Sequence, residues 1–231
     1  MSSTKTIAQA FAEARALDAP LDERLAVLAE AYRELYPDMS QAYDRLIERL
    51  AAAHAGDGAP QVGDAMPAFI LPDHEGHLVS LNELLENDQL VVSFNRGHWC
   101  EHCKLELLSL AECAPEIKQH GGQIVSIVPD NQKFGRELRA ELNLPFVVLS
   151  DMDNGYAMSL GLSIWVGEEV DRLYRKIGMD PSDIQGSESW LLPIPATFVV
   201  GRDGLIRARF VDPDFKQRMD AEEILKALGT G

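Results

Sequence analysis

The first 55 residues carry apolar side chains with the period of an α-helix. Leucine and tyrosine recur mostly three or four positions apart along two stripes, each typical of one apolar helix face. The stripes are Leu21, Leu25, Leu28, Tyr32 and Leu35, then Tyr43, Leu46, Ile47 and Leu50. Pro37 separates them, because proline lacks the N–H that a helix interior requires. We therefore expect two amphipathic helices, which bury their apolar faces either against the rest of the chain or in a homodimer interface.

The next ten residues break this pattern. Residues 56–65 hold three glycines and one proline, whereas the preceding 55 residues hold no glycine. Glycine and proline concentrate in turns and connections between elements. We therefore divide the chain into a helical extension at 1–55, a linker at 56–65 and a main domain at 66–231. The extension holds no cysteine, so we expect it to pack without taking part in chemistry.

The main domain alternates short apolar runs with helical stretches. The runs lie at 90–94, 124–128, 146–149 and 197–200. Near-continuous apolar runs separated by helices are typical of buried strands in βαβ units. A turn at 202–204 joins the last run to residues 205–211 and predicts an antiparallel hairpin, and residues 68–81 predict a smaller one. With a final helix near 220–228, the pattern predicts an α/β fold in which helices flank a mixed sheet.

Residues 163–189 interrupt this alternation. An amphipathic stretch with Val166, Val170 and Tyr174 on one face is followed by a polar loop at 180–187. Long loops in compact domains often have a function. This one precedes a Pro-Ile-Pro segment, and we expect it to form one wall of a site.

Charge and cysteine content narrow the function classes. The chain has 37 acidic and 21 basic side chains, for a formal net charge of −16. Phosphate backbones and anionic lipids repel such a surface, so we expect neither a nucleic acid nor a membrane partner. No basic lead-in with an apolar run, as in a secretory signal, opens the sequence. Together with only three cysteines, these features predict a cytoplasmic protein.

Cys100 and Cys103 are the candidates for chemistry. A helix is predicted to begin near Cys100, where unpaired backbone N–H groups and the positive end of the helix dipole favour a thiolate. Cys103 lies three residues further, on the same helix face and within reach of a disulfide. A bridge across so short a loop adds little stability, so we interpret the two as a reversible redox pair. Cys100 is nearer the helix start and is expected to be the attacking thiol.

Nearby side chains support a low pKa for Cys100. Arg96, His98, His102 and Lys104 bring positive or potentially positive charge, and Glu101 opposes them. We expect the two histidines to tune this charge or to face solvent.

Other interpretations of these residues are weaker. A zinc site needs four ligands, and the chain has no second cysteine pair, so we expect no metal and no other cofactor. Cys113 lies in an apolar helix and is expected to be a buried filler. Trp99 either belongs to the core or shields the neighbouring thiol from water.

Four segments resemble the alkyl hydroperoxide reductase/thiol-specific antioxidant family, that is, peroxiredoxin-like members of the thioredoxin superfamily. They are GDAMPAF at 63–69, VVSFNRGHWC at 91–100, SIVPD at 126–130 and PIPATFVVGRDG at 193–204. The resemblance covers about 62–231 and implies a thioredoxin-like fold. It also implies a thiol-based antioxidant oxidoreductase with a Cys-x-x-Cys active site.

Two activities follow from this resemblance, and a third interpretation stays open. In the first, Cys100 attacks a hydroperoxide, and Cys103 resolves the sulfenic acid to a disulfide that a thioredoxin- or glutathione-type reductant reduces. In the second, Cys100 attacks a disulfide substrate and Cys103 releases the mixed disulfide. In the third, the pair is inactive and the protein is a binding module.

The chain departs from the family pattern at three positions. Typical members carry a proline seven residues before the attacking cysteine, a threonine or serine three before it, and an arginine near the late strand. Here Ser93 and Gly97 stand at the first two positions, and the late segment, 194–197, reads IPAT. That segment resembles the cis-proline loop of thioredoxins, so we expect a cis bond before Pro195 and Pro195 beside the cysteines. Arg96 becomes the candidate for polarising the peroxide, because its charge is fixed.

Overall fold

The computed structural model describes residues 5–188 and 190–229. Within them the helices are α1 (Ile7–Ala16), α2 (Leu21–Leu35), α3 (Pro37–Ala52), α4 (Leu81–Leu85), α5 (Glu101–Gln119), α6 (Gln132–Leu142), α7 (Gly155–Ser159), α8 (Glu168–Lys176), α9 (Pro181–Ile184) and α10 (Ala221–Leu228). The strands are β1 (Ile70–Pro72), β2 (Leu78–Ser80), β3 (Gln89–Phe94), β4 (Gly122–Val128), β5 (Val147–Ser150), β6 (Ser163–Trp165), β7 (Leu191–Pro193), β8 (Ala196–Val200) and β9 (Ile206–Val211). In the part of the chain so described, no helix is both long and apolar enough to span a membrane.

Five strands form the central sheet, in the order β5-β4-β3-β8-β9. Strands β3, β4 and β5 run parallel, whereas β8 is antiparallel to both β3 and β9. Every residue of β3 is buried, which explains its continuous apolar run. Helices pack on both faces of the sheet. The predicted α/β fold with a mixed, helix-flanked sheet is therefore confirmed, and so are the two predicted hairpins.

The two faces of the sheet bury separate apolar cores. In β3, Leu90, Val92 and Phe94 point into one core, and Val91 points into the other. This alternation follows from the two-residue period of a strand. The second core includes Leu107 of α5, so the helix that carries the cysteines packs directly on the sheet.

The N-terminal helices pack on α5. Leu28 of α2 is fully buried in a cluster with Ala10 and Ala14 of α1 and Leu105 of α5. The apolar stripe of α2 is thus covered within the chain. The sequence predicts two helices in this region, and α1 is a third. Thr6 caps α1 through a reciprocal pair of hydrogen bonds with Gln9.

The segment expected to be a linker lies against the β8–β9 hairpin. The Gly63 N–H donates to the Ile206 carbonyl at 2.9 Å, and the Ile206 N–H donates to the Asp64 carbonyl at 2.9 Å. Gly56 has a φ of +91°, and a Cβ there would lie 2.8 Å from Val211 Cγ1. Residues 56–65 are therefore docked on the sheet domain by backbone hydrogen bonds and close packing.

Residues 163–188 and 190–193 form a small unit beside α3. Strands β6 and β7 pair antiparallel, and α8 lies between them in the chain. Val170 and Tyr174 of α8 share a buried cluster with Trp190 and with Ala42 and Leu46 of α3. The N-terminal extension and this insertion therefore meet, and both border the site described next.

Candidate active site

Cys100 caps the N-terminus of α5. Its Sγ accepts a hydrogen bond from the Cys103 N–H at 3.4 Å, in the position that a serine or aspartate oxygen usually takes. The side chain is buried, with 3% of the residue surface exposed. The loop that carries Cys100 follows strand β3, which ends at Phe94. Because β3 is fully buried at the centre of the sheet, it fixes the start of this loop. The predicted start of a helix at Cys100 is confirmed.

The environment of Cys100 favours its thiolate. Burial raises the pKa of the thiol, but donation from the Cys103 thiol and the charges of Arg96 and Arg218 outweigh it. The net effect lowers the pKa of Cys100 to about 7. About half of the molecules therefore carry the nucleophilic thiolate at neutral pH.

The pKa of Cys103 shifts in the opposite direction. Burial, the hydrogen bond to Cys100 and the Cys100 charge all raise its pKa well above the usual value, against the pull of Arg218 and Arg96. When the pair loses its first proton, that proton therefore leaves Cys100, and Cys103 stays protonated. The geometry therefore favours Cys100 as the attacking sulfur and Cys103 as the thiol that follows.

Arg96 lies in the loop between β3 and α5 and lines a cleft with Cys100. Its Nη2 donates to the hydroxyl oxygens of Tyr43 at 3.0 Å and Tyr174 at 2.7 Å, and its guanidinium stacks 4.0 Å from the centre of the Phe215 ring. Within residues 5–188 and 190–229, no carboxylate lies close enough to form an ion pair with it. The positive charge is therefore held in place by neutral groups.

Arg218 is a second buried cation at the site, and no pattern in the sequence indicates it. Its Nη2 lies 3.5 Å from Cys103 Sγ, and its Nε donates to the buried Glu106 carboxylate. Glu106 also accepts hydrogen bonds from Ser93 in β3 at 3.1 Å and Thr197 in β8 at 3.2 Å. This network ties the cysteine helix to the two central strands. No motif marks residue 218, because it reaches the site from a loop 115 positions after Cys103.

Two tyrosines of the N-terminal extension line the cleft. The cleft holds about 530 Å³ of empty space, including its open mouth. Besides Cys100 and its neighbours, its walls include Tyr32 of α2, Tyr43 of α3, and Phe215 and Lys216 from the C-terminal loop. Helices α2 and α3 therefore lie against the first turn of α5 and border the cleft. That the extension takes no part in the chemistry stays a prediction.

Tyr32 and His102 pack together at one wall. The Tyr32 hydroxyl donates to the Glu101 carboxylate at 2.8 Å, and its ring centre lies 5.4 Å from that of His102. Burial, with the charges of Arg218 and Arg96, holds the pKa of His102 well below its usual range. His102 is therefore neutral and buried, and neither predicted role, charge tuning or solvent exposure, fits it.

His98 and Asp130 hold the loop on the other side. The His98 backbone N–H donates to Asp130 Oδ2 at 2.6 Å, and its ring Nδ1 lies 3.0 Å from the same oxygen. The ring also stacks on Phe134 at 4.1 Å. Burial raises the pKa of Asp130, although its contacts with His98 oppose the shift. These contacts fix the loop conformation just before Cys100.

Gly97 explains why the family's threonine or serine is missing. Its φ is +139°, and a Cβ there would lie 2.6 Å from Trp99 Nε1 and 2.7 Å from Asp130 Oδ1. Any side chain at this position would collide with both groups. The loop is therefore built around a glycine, and a hydroxyl cannot be supplied from residue 97.

Trp99 and Pro195 both lie near Arg96. Trp99 is half-buried against Tyr174 and Trp190, and it also lines the cleft, so it is core and shield at once. Pro195 borders a smaller cavity that Arg96 also lines. The bond before Pro195 is trans, so the predicted cis bond is wrong. The Ile194 N–H donates to the Leu162 carbonyl at 2.7 Å, which holds the segment extended between β7 and β8.

Cys113 and a cluster in the β1–β2 turn do not line the cleft. Cys113 is partly buried against the second core, and its pKa is raised by burial and by Glu112. Asp73, Glu75 and His77 bring possible metal ligands together in the β1–β2 turn. The Asp73 carboxylate already accepts the backbone N–H groups of Glu75 and His77, as expected for a turn.

Comparison with known proteins identifies the family of the main domain. The AhpC/TSA family model matches residues 62–209. Peroxiredoxin Q of Sedum lineare is 25% identical over 166 residues, which are 72% of this chain and 76% of that protein. Thiol-disulfide oxidoreductase ResA of Bacillus anthracis is 21% identical over 160 residues, 69% of this chain and 75% of that protein.

Solved structures share the fold. The crystal structure of peroxidoxin BcpB from Mycobacterium tuberculosis superposes with a TM-score of 0.57 and 20% identity, covering 74% of this chain and 97% of that one. The helical extension lies outside the family match. The cysteine helix and the central sheet, except for the last two residues of β9, fall within it. This chain belongs to the AhpC/TSA family of thioredoxin-fold thiol peroxidases and oxidoreductases.

Proposed function

We propose that the chain is a thiol peroxidase in which Cys100 reduces a hydroperoxide and Cys103 resolves the product. The observation that carries this proposal is the buried Cys100 thiol, whose pKa is lowered to about 7 beside two buried arginines. The thiol also lies in the wall of a cleft that opens to solvent. A thiolate in a partly dry, positively charged site is the form needed for attack on an O–O bond.

The first step oxidises Cys100. Its thiolate attacks the terminal oxygen of R–O–O–H, the S–O bond forms and the O–O bond breaks. The sulfur loses two electrons and becomes a sulfenic acid, and the peroxide is reduced to an alcohol once the departing oxygen gains a proton. For hydrogen peroxide the second product is water.

Arg96 stabilises the charge that develops on the departing oxygen. Its guanidinium is buried and tied to two tyrosine hydroxyls, so it needs little reorganisation during the reaction. No carboxylate within residues 5–188 and 190–229 pairs with it and competes for its charge. This arrangement supports Arg96 in the role that an arginine near the late strand has in typical family members.

The second step forms a disulfide. Cys103 attacks the sulfenic sulfur of Cys100, the S–S bond forms, and hydroxide leaves with the proton of the Cys103 thiol as water. An external dithiol or two thiols of the thioredoxin or glutathione type then reduce the disulfide. This need for a thiol reductant favours a reducing compartment, and we propose the cytoplasm.

Disulfide exchange is a second candidate. The Cys-x-x-Cys spacing and the relatives named thiol-disulfide oxidoreductase favour it. In that reaction Cys100 attacks one sulfur of a disulfide, the other sulfur leaves as a thiolate, and Cys103 displaces the bound half. The same low pKa of Cys100 serves both reactions, so the two must be separated by substrate.

Three single variants and two assays test the proposal. Consumption of tert-butyl hydroperoxide and reduction of insulin disulfides are measured side by side, each with dithiothreitol as reductant. We expect wild type to consume the hydroperoxide and Cys100→Ser to lose this activity completely. Cys103→Ser should form the Cys100 sulfenic acid in a single turnover, and Cys113→Ser is the matched control, with full activity.

The outcomes discriminate between the candidates. Insulin reduction without hydroperoxide consumption supports the disulfide oxidoreductase and contradicts the peroxidase. Full peroxidase activity in Cys100→Ser contradicts the role of Cys100 in either reaction. Absence of both activities in a folded wild type favours the binding-module interpretation.

A further inference from the structure

Tyr32 and Tyr43 line the cleft at Cys100, and Tyr174 contacts Tyr43 from outside the cleft lining. The hydroxyl protons of the three tyrosines have different partners. Tyr32 comes from α2, Tyr43 from α3 and Tyr174 from α8, so none belongs to the central sheet or its cysteine helix. The Tyr32 hydroxyl donates to Glu101 at 2.8 Å. Its proton is therefore committed to a carboxylate, and the pKa of Tyr32 is raised by burial and by the Glu101 charge.

Tyr43 and Tyr174 share a hydrogen bond and one cation. Arg96 Nη2 donates to both hydroxyl oxygens, and the two hydroxyls also bond to each other. A guanidinium only donates, so each oxygen accepts from it. One hydroxyl must then donate to the other, and the second keeps a free O–H.

The free O–H is that of Tyr43. Tyr174 is 2% exposed and does not line this cleft, whereas the half-buried Tyr43 lines the cleft together with Cys100. Burial raises the pKa of both phenols, but the Arg96 charge and donation from Tyr174 oppose the shift at Tyr43. Tyr43 is thus protonated at neutral pH, and its phenolate has two stabilising donors.

The other acids of the cleft are less suitable. The neutral His102 can offer only an imidazole N–H, which is a weaker acid than a phenol. The Lys216 ammonium is paired with Asp214 at 2.8 Å. Gly97 provides no hydroxyl, and its surroundings leave no space for one.

We propose that Tyr43 is the proton donor to the oxygen that leaves when Cys100 attacks a hydroperoxide. This inference rests on the proposed peroxidase function. As the O–O bond breaks, the departing R–O⁻ takes the Tyr43 proton and leaves as R–OH. The Tyr43 phenolate stays between Arg96 and the Tyr174 hydroxyl and regains a proton from water. The electrons come from Cys100 alone, so the step needs no further reductant.

Leaving-group basicity separates this role from a structural one. An alkoxide is a strong base and needs a proton as it departs, whereas the acetate that leaves peracetic acid needs little help. Loss of the donor should therefore slow tert-butyl hydroperoxide selectively. A shifted Arg96 or a weaker Cys100 nucleophile would slow both oxidants by similar factors.

The test measures Cys100 oxidation in single turnovers of the full-length, reduced chain. Tert-butyl hydroperoxide and peracetic acid are the two probes, and the variants are Tyr43→Phe, Tyr174→Phe, Lys216→Met and the exposed control Tyr36→Phe. For Tyr43→Phe we expect the rate with tert-butyl hydroperoxide to fall by about 10²-fold and the rate with peracetic acid to fall far less. Tyr174→Phe and Lys216→Met should each show a smaller selective loss than Tyr43→Phe, and the exposed control Tyr36→Phe should show none.

Equal losses for both oxidants in Tyr43→Phe would overturn the donor role. A larger selective loss in Tyr174→Phe or Lys216→Met would do the same, by assigning the proton to that residue. A folded wild type that reacts with neither oxidant contradicts the peroxidase function itself, and the Tyr43 proposal fails with it.

Discussion

The central sheet and the N-terminal extension contribute differently to the site. The sheet domain buries its strands on both faces. It carries both cysteines of the site, at the start of α5 after the loop that follows β3. The extension packs from outside, through a cluster that includes Leu28 and Leu105, and adds phenol groups around the cleft. The cleft exists only where the two regions meet, because either alone leaves the first turn of α5 uncovered on one side.

This difference separates two kinds of contribution to reactivity. The sheet domain and the C-terminal loop supply the charges that lower the pKa of Cys100, namely Arg96 and Arg218. The extension and the α8 insertion supply neutral hydroxyls, Tyr43 and Tyr174, that hold Arg96. The sheet domain and the C-terminal loop thus provide the positive charge, and the extension and the α8 insertion position it. Variants in each region can therefore test the two contributions separately.

The largest expected effect concerns stability. Leu28 in α2 and Leu90 in β3 are both fully buried, one in each region. We expect Leu28→Ala and Leu90→Ala each to lower the free energy of unfolding by about 2–5 kcal/mol, through lost apolar contacts and a residual cavity. Urea denaturation followed by circular dichroism measures this change.

The number of steps in the urea unfolding curve shows whether the extension and the sheet domain unfold together. If the extension is a cooperative part of the fold, both variants unfold in a single transition at a lower urea concentration. If Leu28→Ala instead produces an early, separate transition while the rest stays folded, the extension is an independent unit. Val27→Ala, at an exposed position of the same helix, is the control and should change stability little.

The next effect is catalytic and concerns Arg96. We expect Arg96→Met to slow hydroperoxide turnover by about 10²-fold, the scale of losing one donor to a developing oxyanion. Disulfide exchange should slow less, because a departing thiolate is a softer and weaker base. Steady-state consumption of tert-butyl hydroperoxide and reduction of insulin measure the two rates.

An exposed arginine provides the control. Arg202 lies in the β8–β9 turn, away from the cleft, and Arg202→Met should leave both rates unchanged. Small and equal losses in the two assays of Arg96→Met would contradict the role of Arg96 at the departing oxygen. Such losses would also leave the hydrogen bonds of Tyr43 and Tyr174 to Arg96 without a catalytic role.

The sheet was largely predictable because its determinants are local. The strand around Leu90–Phe94 is a continuous apolar run, and the hairpin at 202–204 has its own turn residues. Cys100 as a helix start follows from the strand before it and the helical pattern after it. Such signals lie within a few residues of the element that they specify.

The rest of the site depends on contacts between distant segments. Arg218 lies 115 positions after Cys103, and Tyr43 lies 53 positions before Arg96. No motif spacing in the sequence connects either residue with its partner. Helix α1 buries alanines, so it lacks the leucine stripe that marks α2. His102 is neutral because other segments cover it, which the residues beside it do not reveal.

The bond before Pro195 shows how a local analogy can fail. The segment 193–197 resembles a thioredoxin loop, but here β7 and its partner β6 precede it. The hydrogen bond from Ile194 to Leu162 holds the chain extended into β8. The pairing of β7 with β6 and the hydrogen bond to Leu162 therefore hold the backbone of the loop, and neither lies in the short segment that suggested a cis bond.

The smallest expected effect is the pH dependence of Cys100 labelling. Because its pKa is lowered to about 7, the thiolate fraction rises from about a tenth at pH 6 to half at pH 7 and about nine-tenths at pH 8. Iodoacetamide should therefore modify Cys100 about fivefold faster at pH 7 than at pH 6, and less than twofold faster again at pH 8. Cys103 and Cys113, whose pKa values are raised, should react later at every pH. Peptide mass spectrometry after one equivalent of reagent identifies the labelled thiol, and preferential labelling of Cys103 would reverse the assignment of the nucleophile.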